Sequence, residues 1–397
     1  MRRWFERFPE YKHRQLFLAG ESYAGHYIPQ LATLLLKSKE FNLIGILVGN
    51  PLLNYGVDTT ATYAFFWSHG VISDPSYMGV SRWCDFRYGY RGGDEEDYME
   101  QPDAVSGEVS RVGEAVNVAG GGGGGDDSGS NKKQQQKKKG CVPFVRRAMR
   151  EMGGYINIYD LSADVCVPPI HRQAVLLHQL MGLREKDRKD VCVDHEITRY
   201  LNQRAVQDAL HANLTALPHP WEACSQLVLC MPFPPPNSEI PVSASTLLSR
   251  IVLVLLLFTL VNYTYIDKLE DMLPLLAHLA KEDLSIWVFS GDQDSVVPLT
   301  GTRSQITKLG RSLNLSRNAI YRPWYSHRQK MADGASLTLA PVDGFMQVGG
   351  GYESYGHGKI VYATVRGASH MVPFTQPVRA LDLFSSLING KTLPSQP

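Results

Sequence analysis

The chain has 397 residues, a mass of 44.3 kDa, 44% hydrophobic residues and 20% charged residues. That composition suits a globular protein, and the length allows two or three domains or one large domain with an insertion. The 40 Lys and Arg against 39 Asp and Glu leave a net charge of +1, which excludes the broad basic face that nucleic-acid binding uses but not a local basic patch.

Along the chain, Glu6, Arg7, Glu10 and Lys12 interrupt any apolar run near the start. No signal peptide is read there, and the chain as written is expected to start in the cytosol. Residues 16–19 form an apolar run of strand length, followed by a turn over 20–25. Residues 26–37 then read as a helix, with Ile28, Leu31, Leu34 and Leu35 at helical spacing. A second strand is expected over 43–48, stopped by Gly49-Asn50-Pro51. Residues 58–77 and 165–210 are mostly helical in pattern.

Between them lies 91–139, with the glycine run from Gly120 to Gly125 and the lysines Lys132, Lys133, Lys137, Lys138 and Lys139. This stretch lacks the apolar surface to offset its chain entropy and is expected to be a disordered, solvated loop. Residues 232–241 are rich in breakers. Residues 251–266 are the longest apolar run. It is short for a spanning helix, so it reads as a buried helix or a segment foreign to the fold, with a short membrane segment as the weaker alternative. Further strands are expected over 285–289 and 360–365, and a closing helix over 373–387. Buried strands alternating with helices imply a parallel sheet covered on both faces.

The chemistry centres on Gly20-Glu21-Ser22-Tyr23-Ala24-Gly25. A serine in a tight strand-to-helix turn is the geometry of a nucleophile elbow, although the G-x-S-x-G pattern is not met because Ala24 takes the last position. The Tyr23 backbone N–H would be one oxyanion donor. After the third strand comes Gly291-Asp292-Gln293-Asp294, and after the fourth comes Gly367-Ala368-Ser369-His370. A carboxylate and then a histidine in late turns follow the Ser, Asp, His order of α/β-hydrolases. All three turns would lie at the sheet edge where such folds bind ligands. No Cys/His spacing suits zinc, and the glycine run follows no strand and opens no helix, so no metal and no cofactor are expected.

These motifs resemble those of the serine carboxypeptidase family, plant-type members first. The match runs through Gly20 to Gly25 with His26-Tyr27-Ile28-Pro29, Asn157-Ile158-Tyr159-Asp160, Tyr200-Leu201-Asn202, and the turns around Asp294 and His370. The resemblance implies an α/β-hydrolase with a helical cap insertion and with the first strands of the sheet missing. It divides the chain into core (1–56), cap (57–225), an atypical insert (226–265) and core (266–397), the last interrupted over 330–346. It also implies that Ser22 attacks a C-terminal peptide bond, His370 serves as base and Asp294 orients the imidazole. Asp294 is preferred to Asp292 because it sits three residues after Gly291, and Asp292 is read as structural. Glu21 would hydrogen-bond the substrate's terminal carboxylate, a role that suits a raised pKa. Met371 would tilt the leaving-residue pocket toward hydrophobic side chains.

The family's W-x-N-G-G-P-G segment, which supplies a second oxyanion donor, has no counterpart in this sequence. By resemblance, Cys84 pairs with Cys141 and Cys166 with Cys192, while Cys224 is orphaned or joins Cys230. The bridges and the sequons at Asn213, Asn262 and Asn314 point to an oxidising compartment, and the family is secreted or vacuolar. Peptide or protein C-termini are the expected partners, without nucleic acid, and with the membrane only through 251–266. An acyltransferase on the same scaffold and a catalytically impaired truncated homologue are the alternatives to a carboxypeptidase.

Overall fold

The structure is a computed structural model that describes residues 1–88, 128–154, 156–166, 192–212, 220–221, 267–329 and 341–396. A short helix α1 (Arg2–Arg7) precedes β1 (Leu16–Glu21), α2 (Ala24–Ser38) and β2 (Leu43–Gly49). The C-terminal half supplies α8 (Leu273–Lys281), β3 (Ser285–Gly291), α9 (Leu299–Ser312), β4 (Arg317–Gln329), β5 (Pro341–Tyr355) and β6 (Ile360–Val365). These strands form one sheet in the order β1-β2-β3-β6-β5-β4. β1, β2, β3 and β6 run parallel, while β5 and β4 are antiparallel additions.

The parallel strands are apolar on both faces because both faces are covered. Successive side chains still alternate. Ile46, Val48, Ile286 and Val288 pack with Ile28 and Leu35 of α2, Leu276 of α8 and Ile306 of α9. Leu47, Trp287 and Phe289 face the other way, against Leu383 and Leu387 of α11 (Pro377–Ile388). The expected closing helix is two pieces, α10 (Val372–Thr375) and α11. Gln376 breaks it, as the residue before a proline disfavours helical backbone.

Residues 58–77 likewise become two helices, α3 (Tyr55–Ser68) and α4 (Asp74–Trp83), separated at Gly70, whose φ is 71°. Both pack on α5 (Ser128–Met152) through Tyr63, Phe66, Val80 and Val145. α5 overlaps the stretch expected to be a loop. Over 128–139 the backbone is helical, because Lys and Gln favour helix and the packed turns beyond Gly140 extend backwards through them. Residues 91–127 lie outside the described residues. Of 165–210, α6 (Val193–Leu201) and α7 (Arg204–Ala209) are helical as expected, and 167–191 lie outside.

The β4–β5 hairpin was not expected. Polar β4 contains Pro323, and β5 contains Gly349, Gly350 and Gly351, which read as breakers. The glycines make room for aromatics laid across them. A Cβ on Gly349 would stand 2.6 Å from the Trp324 ring, and one on Gly351 would stand 2.4 Å from Tyr321. Trp324 thereby reaches over β5 and donates Nε1–H to the Thr364 carbonyl on β6 at 2.8 Å. Of the interruption read over 330–346, residues 341–346 belong to β5, with Met346 opposite His327. Residues 330–340, the insert 226–265 with its apolar run, and Cys224 and Cys230 lie outside the described residues. Among the described residues no helix is long and apolar enough to cross a membrane.

Candidate active site

Ser22 lies between β1 and α2 with φ 61°, a left-handed conformation rare for a residue with a side chain. The turn over-determines it. Ser22 N–H donates to the Gly49 carbonyl, and the Ser22 carbonyl accepts from Gly25 N–H at 2.9 Å and Leu52 N–H at 3.0 Å. Such strain held in place by surrounding bonds fits the tight strand-to-helix turn expected of a nucleophile elbow. The departure from G-x-S-x-G has a steric reason. A Cβ on Gly20 would sit 2.5 Å from the Ala24 Cβ. With glycine on the strand side, the helix side tolerates alanine. Gly25 has a different task, since its Cβ would meet the Leu52 carbonyl at 2.3 Å.

Asp294 and His370 lie in the turns after β3 and β6, the two strands that pair at the centre of the sheet. The His370 ring donates from Nδ1 to Asp294 Oδ2 at 2.8 Å. In the neutral ring this tautomer leaves the lone pair on Nε2. Asp294 is fully buried and His370 is 5% exposed. The carboxylate also accepts from Asn50 Nδ2 at 2.7 Å, Val296 N–H at 2.8 Å and Val297 N–H at 3.3 Å. A buried carboxylate needs such a full set of donors.

Asp292 does not touch the histidine. It accepts from Gly367 N–H at 2.7 Å and so ties the acid turn to the base turn.

Glu21 is partly buried beside this pair. Desolvation raises its pKa, the His370 charge lowers it, and the Asp294 charge raises it again. Those couplings place Glu21, Asp294 and His370 in one electrostatic neighbourhood. Tyr23 caps α2 at its N-terminus, where helix N–H groups favour negative charge. Its ring stacks on buried His26, with centroids 4.8 Å apart. Met371 follows the base directly and is 40% exposed. The disulfides Cys84–Cys141 and Cys166–Cys192 are both present. Among the described residues no group of His, Cys, Asp and Glu could hold a metal.

Two contributors were given no role at the site in the sequence reading. Asn50 appeared only as a strand stop, yet it bridges the site. Its Nδ2 donates to Asp294 and its Oδ1 accepts from Gly291 N–H at 3.2 Å. An asparagine between Gly49 and Pro51 was the available signal, because Asn adopts left-handed backbone readily, and its φ here is 42°. The other is the segment 157–160. The Tyr159 carbonyl accepts from His370 N–H at 2.8 Å, and the Ile158 carbonyl accepts from Ser295 N–H at 3.1 Å. Residues 158 and 159 thus bind both the acid and the base turns.

The family model described as serine carboxypeptidase matches residues 1–256 and 256–390. Serine carboxypeptidase-like 44 of Arabidopsis thaliana is 37% identical over 99% of this chain and 64% of its own length. Serine carboxypeptidase-like 42 of the same plant is 36% identical over 99% of this chain and 65% of its own length. The chain therefore spans less than two thirds of the length of these relatives. Kex1(delta)p, a prohormone-processing carboxypeptidase from Saccharomyces cerevisiae, shares the fold at a TM-score of 0.54 and 17% identity, covering 98% of this chain and 64% of that one. With this family match along nearly its whole length, the chain belongs to the serine carboxypeptidase family.

Proposed function

We propose that this chain carries the machinery of a serine-type carboxypeptidase, with Ser22 as nucleophile, His370 as general base and Asp294 as the residue that orients the imidazole. The observation that carries the reading is the buried Asp294–His370 hydrogen bond, in the turns after β3 and β6 of the same parallel sheet whose β1 ends at the strained Ser22 turn. Ser22 Oγ attacks the scissile carbonyl carbon as His370 Nε2 takes its proton. Collapse of the tetrahedral intermediate releases the C-terminal residue, which leaves with that proton on its amine. Water then attacks the acyl-enzyme ester by the same route. Tyr23 N–H supports the oxyanion. Met371 contributes apolar surface to the leaving-residue pocket. The two disulfides favour an oxidising compartment, secreted or vacuolar.

The test is labelling of the full chain with a fluorophosphonate. Specific labelling lost in Ser22→Ala and after heat denaturation is expected. A folded, soluble protein that does not label would overturn the reading. If the unlabelled protein, given an acyl ester, passes the acyl group to an added alcohol in preference to water, the activity is acyl transfer instead.

Glu21 binds the terminal carboxylate of the substrate in its neutral form. Burial raises its pKa, so the donor proton persists to higher pH than on a free carboxyl. As pH rises through that pKa, Glu21 ionises, two carboxylates face each other, and KM rises. Glu21→Gln keeps a neutral donor at every pH. Its KM should stay flat where that of the parent climbs about tenfold, with kcat little changed. Parallel KM profiles for the two proteins would remove Glu21 from this role.

A further inference from the structure

α9 leads away from the acid turn and presents one polar face to the edge strand β4. Thr300, Arg303, Ser304, Thr307, Lys308 and Arg311 recur at three- and four-residue spacing, which puts them on one side of the helix. Together with Arg317, Tyr321 and Glu353 they line an open groove of about 770 Å³. The charges are unbalanced. Glu353 is 1% exposed and already bonded, to Arg317 at 2.5 Å and to the Thr307 hydroxyl at 2.9 Å. Arg303, Lys308 and Arg311 have no carboxylate partner among the described residues. A chain whose net charge is only +1 therefore concentrates three unneutralised cations in one groove.

We propose that this groove binds a linear anionic polysaccharide. The inference stands apart from the peptidase reading, since it uses none of the same residues. Length argues for a chain rather than a single anion. Arg303 and Arg311 are separated by about 12 Å along the helix, at 1.5 Å rise per residue. One phosphate or sulfate cannot meet both, while an oligosaccharide with a charge on successive units can. Guanidinium groups match carboxylate and sulfate oxygens in pairs. The hydroxyls of Thr300 and Ser304 suit sugar hydroxyls between those charges.

Single-stranded nucleic acid is the competing polyanion, and the groove lacks its platform. Nucleic-acid grooves stack bases on open aromatic faces. Tyr321 is the one aromatic ring in the lining, and the Arg303 guanidinium already covers it at 5.2 Å. The two disulfides also favour an oxidising compartment, where carbohydrate polyanions are met more than nucleic acids.

The experiment measures binding of the full chain to a fluorescent heparin oligosaccharide, an oligogalacturonate and a single-stranded DNA of similar charge. One or both saccharides should bind more tightly than the DNA, and the stronger of the two identifies sulfate or carboxylate as the preferred anion. Binding should weaken about tenfold from low to physiological salt, as expected when about three cations release counterions. Lys308→Glu with Arg311→Glu should abolish it. Lys37→Glu with Lys281→Glu, at exposed cations elsewhere, should leave it unchanged. Lys308→Gln with Arg311→Gln replaces the charge reversal if thermal unfolding shows that the reversed protein does not fold. Absence of saccharide binding, tighter binding of DNA, or equal losses in the groove and control variants would each overturn the proposal.

Discussion

Asp294→Asn is expected to lower kcat for a peptide substrate about 10⁴-fold, the usual consequence of losing the acid of such a triad while its geometry is kept. The hydrogen bonds of this residue explain the size. Asp294 Oδ2 accepts from His370 Nδ1 and from Asn50 Nδ2. An amide retains one acceptor oxygen, and when that oxygen serves Val296 N–H, which donates to Oδ1, its NH₂ meets the imidazole. The imidazole then holds its proton on Nε2, where it cannot accept one from Ser22. Asp292→Asn is the control. Its carboxylate accepts from Gly367 N–H and Gln293 Nε2 and does not reach the histidine. Both bonds fall on Oδ1, so an amide oxygen can keep them without the charge, and the change should cost about 1 kcal/mol of stability with little change in turnover per folded molecule. Steady-state kinetics on both variants, corrected for the folded fraction by active-site titration, decides the matter. Equal losses of kcat would remove Asp294 from its assigned role.

Replacing Cys84 and Cys141 together by alanine is expected to cost about 4 kcal/mol of unfolding free energy. The bridge closes a separation of 57 residues, and closing such a loop chiefly restricts the unfolded chain. It ties the C-terminal end of α4 to α5, beside the cluster of Phe86, Val145 and Ala148. Cys166–Cys192 closes only 26 residues. Its removal should cost roughly 0.7 kcal/mol less, because loop entropy grows as the logarithm of length. Denaturant titration of the two double variants measures both values. An unchanged midpoint in the first would mean that α4 and α5 hold together by packing alone. The functional consequence lies with the second bridge, whose Cys166 follows the segment 157–160 that touches the acid and base turns. Its loss should lower kcat more than loss of the first.

The parallel core was legible because each of its strands is a continuous apolar run ended by a turn. Runs of that kind at 16–19, 43–48, 285–289 and 360–365 became β1, β2, β3 and β6, each within two residues of the expected end. The turns after β1, β3 and β6 carry Ser22, Asp294 and His370. Their chemistry could be named because the residue types and their order follow from the reaction. The hairpin was hidden for the opposite reason. β4 lies at the sheet's edge, so it needs no apolar run. The glycines of β5 are explained only by Trp324 and Tyr321, which come from a different strand.

By itself, the sequence determined the parallel strands and the turns that carry Ser22, Asp294 and His370, because each is written in residues close together along the chain. Only the tertiary structure decided that Asp294 rather than Asp292 meets His370, that Asn50 locks the acid turn, that Tyr159 and Ile158 hold the base and acid turns, and that α9 and β4 enclose a cationic groove. These depend on distances between residues far apart in the chain, such as the 244 positions between Asn50 and Asp294. Local propensity and periodicity carry no information about such pairs. The order of strands in the sheet sets them.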